Sequence, residues 1–179
     1  MKQYIPKKHK QFGIKLYQLC DSNGYTDSLI MHLGKDRKCA TPSMTATHVT
    51  VRELAARIEH LGHMLYMGNF FSSPVLFGDL HTKAVYCSGT VRPNRKGMPK
   101  NFGHKMKLKR VYLKTKVKGN LTATEWKDKW NVSILMNMHS PPLEGNFCDE
   151  QGRAVKPAII HNCNRLMGYV DESDHTVLY

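Results

Sequence analysis

The stretch that decides the fold runs from residue 63 to residue 91. It opens with the apolar run His63-Met-Leu-Tyr-Met67 between two glycines, which predicts a short buried strand. Ser73-Pro74 then predicts the start of a helix, because proline is favoured at the first helical position. The run from Ala84 to Val91 predicts the next strand. Strand, helix and strand in this order are typical of an α/β fold.

The residues before this stretch predict a hairpin and a further helix. Phe12 to Asp21 alternates apolar and polar residues as a half-buried strand does, and after the turn Ser22-Asn23-Gly24 the run from Tyr25 to Leu33 is expected to return as its partner. Residues 34–47 are polar and predict a loop. Thr50-Val-Arg-Glu53 has the pattern of a capping box, and Gly62 stands where a glycine ends a helix, so a helix is predicted between them.

The residues after Val91 form a basic segment. Residues 92–118 contain eleven lysines and arginines and no acid. Residues 120–128 and 130–138 predict two more strands, and residues 157–179 predict two short helical pieces. The basic residues are Arg92, Arg95, Lys96, Lys100, Lys105, Lys107, Lys109, Arg110, Lys114, Lys116 and Lys118.

Composition sets limits on the function. The chain has 179 residues, enough for one domain, and 41% of them are hydrophobic, so wholesale disorder is excluded. Lysine and arginine number 27 against 14 acids, and the net charge of +13 implies an anionic partner. The five cysteines form no Cys-x-x-Cys pair, which argues against a zinc knuckle. Without a signal or a membrane-spanning run, we expect a soluble intracellular protein.

Each group of candidate functional residues could have either a functional or a purely structural role. Asp21, at the end of the first predicted strand, lies where ligand sites collect in α/β sheets, but aspartate is also common in turns such as this one. Asp171, Glu172 and Asp174 form an acidic cluster, which a helix dipole alone would explain. The lysines at alternate positions would form one row of charge suited to a phosphate backbone if the segment is extended; otherwise they belong to a solvated strand face or a loop.

Four ordered strings resemble the piggyBac transposases and the domesticated proteins derived from them. They are Tyr4-Ile-Pro-Lys-Lys-His-Lys-Gln-Phe-Gly-Ile-Lys-Leu-Tyr-Gln-Leu-Cys-Asp21, Leu65-Tyr-Met-Gly-Asn-Phe-Phe-Ser-Ser73, Gly89-Thr-Val-Arg-Pro-Asn-Arg95 and Asn164-Arg-Leu-Met-Gly-Tyr-Val-Asp-Glu-Ser-Asp174. The resemblance implies a partial RNase H-like core, a mixed sheet with flanking helices, interrupted by a β-rich basic insertion. It implies one truncated catalytic domain over residues 1–179, with the core at 10–91 and 157–179 and the insertion at 92–156.

The resemblance also implies a chemistry and its residues. In the family, three aspartates hold two divalent metals, Mg²⁺ in the usual case, for cut-and-paste transposition at TTAA targets. Asp21 matches the first aspartate, Asp171 matches the third, and Asp174 matches a nearby acid, so these three are the implied catalytic or metal-binding residues. Double-stranded DNA is the implied partner, with the basic residues of 92–118 as its contacts. A homodimer and a nuclear location are implied as well.

The second family aspartate is missing. It should precede Asn69, and this chain has Gly68, which supplies no metal ligand. Tyr169 stands where the family usually has a second glycine. The chain therefore resembles an internal fragment of a transposase catalytic domain that favours DNA and is catalytically dead. The alternatives are a non-enzymatic DNA-binding or assembly module and a decayed remnant with no selected role.

Overall fold

The structure is a computed structural model that describes residues 3–4, 6, 12–32, 44–103, 108–127, 129–138 and 140–171. The chain divides into two compact units. The split unit comprises Met1–Arg57 and Gly168–Tyr179, and the sheet unit comprises Ile58–Met167. The boundaries fall after Arg57 and after Met167, and residues 92–156 all belong to the sheet unit.

The split unit contains short antiparallel ladders. β1 (Gln3–Tyr4) pairs with β2 (Phe12–Gly13), and β3 (Leu16–Cys20) pairs with β4 (Thr26–Met31). The second ladder runs from Leu16 opposite Met31 to Cys20 opposite Thr26. The predicted hairpin is thereby confirmed for its described residues. Its turn uses Gly24 at a φ of 79°, a left-handed conformation that glycine adopts without a steric penalty.

The helix of the split unit begins earlier than the capping box predicts. α1 spans Ala46–Ala55, and its N-cap is Thr45, whose side chain accepts a hydrogen bond from the His48 amide. Thr50 lies inside the helix, where its hydroxyl donates to the Ala46 carbonyl at 2.9 Å. The prediction of an N-cap at Thr50 was therefore wrong, because a second threonine five positions earlier offers the same cap. α1 contacts both β3 and β4.

The sheet unit is built on the predicted strand, helix and strand. β5 (Met64–Met67) leads through α2 (Pro74–Thr82) to β6 (Tyr86–Thr90), and β5 pairs with β6 in parallel. Ser73 caps α2 by accepting from the Leu76 amide at 3.3 Å, and Pro74 occupies its first turn. These three predicted elements are confirmed. A crossover helix is the usual way to join two parallel neighbours.

Four further strands extend the same sheet. They are β7 (Tyr112–Lys118), β8 (Leu121–Lys127), β9 (Asn131–Met136) and β10 (Gly145–Asn146). The order is β10-β7-β8-β9-β6-β5, and every pair except β5 with β6 is antiparallel. The strands predicted at 120–128 and 130–138 are confirmed. Residues of the predicted insertion thus continue the sheet that contains β5 and β6.

Both faces of this sheet are covered at its centre. On β9, the neighbours Ile134 and Leu135 point to opposite faces and are 0% and 2% exposed. α3 (Ala158–Met167) covers the face of Ile134, where Trp126, Ile160 and Cys163 complete one cluster with Leu113. α2 contacts β6 and β8. The fold is therefore mixed α/β, as the sequence predicts.

The C-terminal helical prediction is confirmed in part. α3 is the first helical piece, and residues 169–171 are helical again. Residues 172–179, which include Glu172 and Asp174, lie outside the described part of the chain. None of the helices in the described ranges has the length and apolar character that crossing a bilayer requires.

Candidate functional site

Asp21 lies directly after β3, and its carboxylate closes the hairpin turn. Oδ1 accepts hydrogen bonds from the backbone amides of Asn23 at 2.8 Å and Tyr25 at 2.9 Å. Oδ2 lies 3.5 Å from the Asn23 amide nitrogen Nδ2. The residue is exposed. Asp21 therefore stabilises the hairpin turn, which is one of the two roles that the sequence left open. Its Oδ1 accepts two short hydrogen bonds, whereas Oδ2 has a single longer contact.

Asp171 belongs to the same unit as Asp21. Its amide donates to the Gly168 carbonyl at 3.0 Å, and its side chain is exposed. Asp174 lies outside the described residues. Among the residues that the structure describes, no group of three histidine, cysteine or acidic side chains could hold a metal ion.

Position 68 lies in the sheet unit, in the loop that follows β5. The Gly68 carbonyl accepts from the amides of Phe71 at 3.1 Å and Ser72 at 3.2 Å, and from the Ser72 hydroxyl at 3.1 Å. A Cβ built at Gly68 meets no atom within 4 Å. The backbone at this position therefore does not require glycine, and the described residues leave room for a Cβ there.

In contrast to Gly68, Gly89 on β6 leaves no room for a side chain. A Cβ at this position would lie 2.1 Å from the Met67 carbonyl oxygen and 2.7 Å from Ser72 Oγ. The Ser72 hydroxyl itself donates to the Met67 carbonyl at 3.3 Å. The glycine therefore lets β5, β6 and the loop after β5 approach one another closely.

Arg95 braces the loop after β5. Its Nη2 donates to the Phe70 carbonyl at 2.6 Å and to the Asn69 carbonyl at 3.2 Å. Its Nε is buried, and none of the residues that the structure describes accepts a hydrogen bond from it. Arg95, one of the eleven basic residues predicted to contact DNA, thus donates hydrogen bonds to the backbone of its own chain.

An open cleft of about 300 Å³ lies within the sheet unit. The ends of β5 and β6 contribute Asn69 and residues 90–93, β9 contributes residues 131–133, and Gly103 completes the lining. Ligands commonly bind outside the carboxyl ends of parallel strands. Arg92 is the cation of this lining, and its side chain is exposed.

A buried carboxylate holds two residues of the cleft lining, Gly103 and Asn131, by hydrogen bonds. Glu125 on β8 is 0% exposed, and it accepts from the Gly103 amide at 2.9 Å and from Asn131 Nδ2 at 2.8 Å. Asn131 Nδ2 also lies 3.4 Å from the Gly103 carbonyl. The sequence analysis did not predict these hydrogen bonds; the signal for them was Glu125, the one acid in β8, between the apolar or uncharged residues 121–124 and Trp126.

The basic strand β7 presents its lysines on one face. Lys114, Lys116 and Lys118 alternate along the strand, opposite Glu125, Ala123 and Leu121 of β8. Leu113, on the other face, is buried against α3. Lys116 and Lys118 are exposed and Lys114 is half-buried. The predicted row is thus extended at 114–118, whereas Lys105 and Lys107 lie outside the described residues.

The remaining predicted contacts are spread over irregular segments. Lys96, Lys100, Lys109 and Arg110 lie in turns and loops of the sheet unit. Lys96 and Lys100 are exposed. None of them lines the cleft, so β7 is the part of the basic segment in which several lysines share one strand face.

The buried cysteines Cys87 and Cys163 are free thiols. Burial raises the pKa of Cys87 to about 12 and that of Cys163 to about 11. Hydrogen bonds with Ser88 and Thr90 partly offset the effect of burial on the pKa of Cys163. A thiolate is the metal-binding form, and a raised pKa disfavours it at neutral pH.

Comparisons with known proteins agree with the architecture. A family model described as Transposase IS4 matches residues 1–177. The human PiggyBac transposable element-derived protein 5 is 25% identical over an alignment of 149 residues, which covers 78% of this chain and 28% of that protein. A cryo-EM structure of a piggyBac transposase synaptic complex with hairpin DNA superposes with a TM-score of 0.80 at 25% identity, over 98% of this chain and 36% of that chain.

The chain thus spans about a third or less of each relative's length. The agreement nevertheless extends over nearly all of its own residues, in sequence and in fold. The chain belongs to the Transposase IS4 family, as a piggyBac-like DDE transposase domain.

Proposed function

We propose that this domain binds double-stranded DNA through the basic side chains of its sheet unit and does not cut it. The observation that carries the proposal is the lysine row on β7. Lys116 and Lys118 point outward from the face opposite α3, in a segment of 27 residues without an acid. Regularly spaced cations on a rigid strand suit the regularly spaced phosphates of a duplex. The related piggyBac transposase was solved in complex with DNA.

The lack of cleavage follows from the carboxylates present. Two metals about 3.5–4 Å apart need bridging and flanking carboxylates. Asp21 already accepts two turn amides, and Gly68 supplies no oxygen ligand from its side chain. This donor set does not fit a pair of Mg²⁺ ions, although Asp21, Asp171 and Asp174 are the acids that the family would use.

The proposal includes three expectations of the resemblance. The mixed sheet with its crossover helix would be part of an RNase H-like core. A nuclear location would give the domain access to duplex DNA. A homodimer would double the number of phosphates contacted.

The test is the salt dependence of DNA binding, measured by fluorescence anisotropy on a labelled duplex. If about six phosphates are contacted, log affinity falls with log salt at a slope near −5, from roughly 0.9 per phosphate. The double variant Lys116→Ala/Lys118→Ala should flatten the slope by about 1.8. An affinity that does not change with salt would contradict DNA binding through these lysines.

A matched control removes two charges from elsewhere in the same unit. Lys156 and Arg165 are both exposed, and Arg165 lies on α3, which covers the opposite face of the sheet. The variant Lys156→Ala/Arg165→Ala should leave the slope unchanged. Equal slopes for the two double variants would mean that net charge alone, and not the lysine row, sets the affinity.

A further inference from the structure

The two tryptophans of the chain lie four residues apart in opposite environments. Trp126 on β8 is 3% exposed and belongs to the core under α3. Trp130, in the turn between β8 and β9, is 79% exposed, the highest value among the aromatic residues that the structure describes. Because its indole is exposed to water, Trp130 contributes little to the hydrophobic core of the sheet unit.

The turn that bears Trp130 is anchored on both sides. Lys127 pairs with Asn131 at the end of the β8–β9 ladder. Asn131 is held by the buried carboxylate of Glu125 at 2.8 Å. The backbone that carries the indole is thus ordered before any ligand binds, which lowers the entropy lost on binding.

Trp130 follows Lys129 in a turn that also contains Asp128, which lies outside the described residues, and the next residue along the chain lines the cleft. Lys129, its neighbour, is exposed. Asn131, the next residue, is part of the cleft lining, together with Arg92 and Asn69. A flat aromatic surface beside cations is the arrangement with which proteins bind exposed bases and their phosphates.

We propose that Trp130 stacks on an unpaired base of the bound DNA. The inference rests on the proposed DNA binding and specifies the form of DNA that this end of the sheet unit prefers. Inside a duplex each base is already covered by its neighbours, so an indole has a free base surface to stack on only where a base is unpaired. The phosphate next to such a base would lie near Lys129.

The experiment compares two DNAs with the full chain. One is a fully paired duplex, and the other is the same duplex with a single unpaired thymine. Stacking on a base should lower the affinity for the bulged DNA by about 5- to 150-fold in Trp130→Ala, while the affinity for the paired duplex stays within about twofold. Tyr25→Ala, which removes an aromatic side chain that is 71% exposed in the split unit, should change neither affinity.

Tryptophan emission supplies an independent readout. The bulged DNA should quench the emission of the unmodified chain, and Trp130→Phe, which keeps only the buried Trp126, should lose that quenching. Equal losses of affinity on both DNAs, or binding by anisotropy without quenching, would overturn the stacking and leave DNA binding intact. Absence of binding to either DNA would overturn the proposed function itself, and the stacking with it.

Discussion

The split unit and the sheet unit differ in how far each buries its strands. In the β3–β4 hairpin, Leu16, Leu29 and Met31 are 45%, 51% and 44% exposed. In the six-stranded sheet, adjacent residues of β9 are both almost fully buried. A two-stranded ladder has few neighbours to cover it, whereas a sheet with a helix packed on it encloses its own core. We infer that the sheet unit sets the stability of the chain.

The largest effect is expected from Gly89→Ala in the sheet unit. The new methyl group would lie 2.1 Å from the Met67 carbonyl oxygen, so β5 and β6 would have to separate. We expect a loss of ~3 kcal/mol in the free energy of unfolding, measured by urea denaturation with tryptophan emission as the signal. Gly68→Ala is the matched control, because its methyl group meets no atom within 4 Å. Similar midpoints for the two variants would contradict this account of the packing.

A smaller effect is expected from Arg95→Ala, which removes the brace on the loop after β5. The loss of hydrogen bonds to the carbonyls of Asn69 and Phe70 should cost about 1–2 kcal/mol locally. Hydrogen exchange should accelerate at the amides of Phe71 and Ser72, which bond to Gly68. Lys96→Ala, at an exposed neighbour, should leave those amides protected. Unchanged exchange in Arg95→Ala would show that the loop holds its conformation without the brace.

The smallest effect is expected at Asp21 in the split unit. Asp21→Ala removes the acceptor for the amides of Asn23 and Tyr25 and should cost about 1 kcal/mol, whereas Asp21→Asn keeps a carbonyl oxygen there and should cost a few tenths. Exchange rates of those two amides measure the difference. If alanine and asparagine behave alike, the carboxylate does not hold the turn.

Local signals made much of the sheet unit predictable from the sequence. Ser73-Pro74 marks the start of α2 through capping and a fixed φ, and the apolar run up to Met67 marks β5. α1 was misplaced because the capping-box pattern of Thr50 and Glu53 favours a helix start at Thr50, whereas in the fold Thr45 caps the helix. The contacts of Gly89 and Arg95 could not be predicted, since their partners Met67 and Phe70 lie more than 20 residues away in sequence.

The candidate site was predictable to a lesser degree. The apolar patterns placed Asp21 and Gly68 at the ends of predicted strands, and both do follow strands. The turn residues after Asp21 were a sequence signal for its hydrogen bonds to the hairpin turn. The hydrogen bond from the Gly103 amide to Glu125 joins residues 22 apart and depends on side-chain geometry that no spacing encodes. The free space at Gly68 is likewise a property of the folded loop.

We propose that this domain binds DNA and does not cut it, because position 68 is glycine where the family has an aspartate. The most direct test incubates the unmodified chain with supercoiled plasmid and Mg²⁺, at a protein concentration that saturates DNA binding in the anisotropy assay. We expect the plasmid to be bound and to stay supercoiled, both with and without Mg²⁺. Nicking that needs Mg²⁺ and disappears in Asp21→Asn would contradict it.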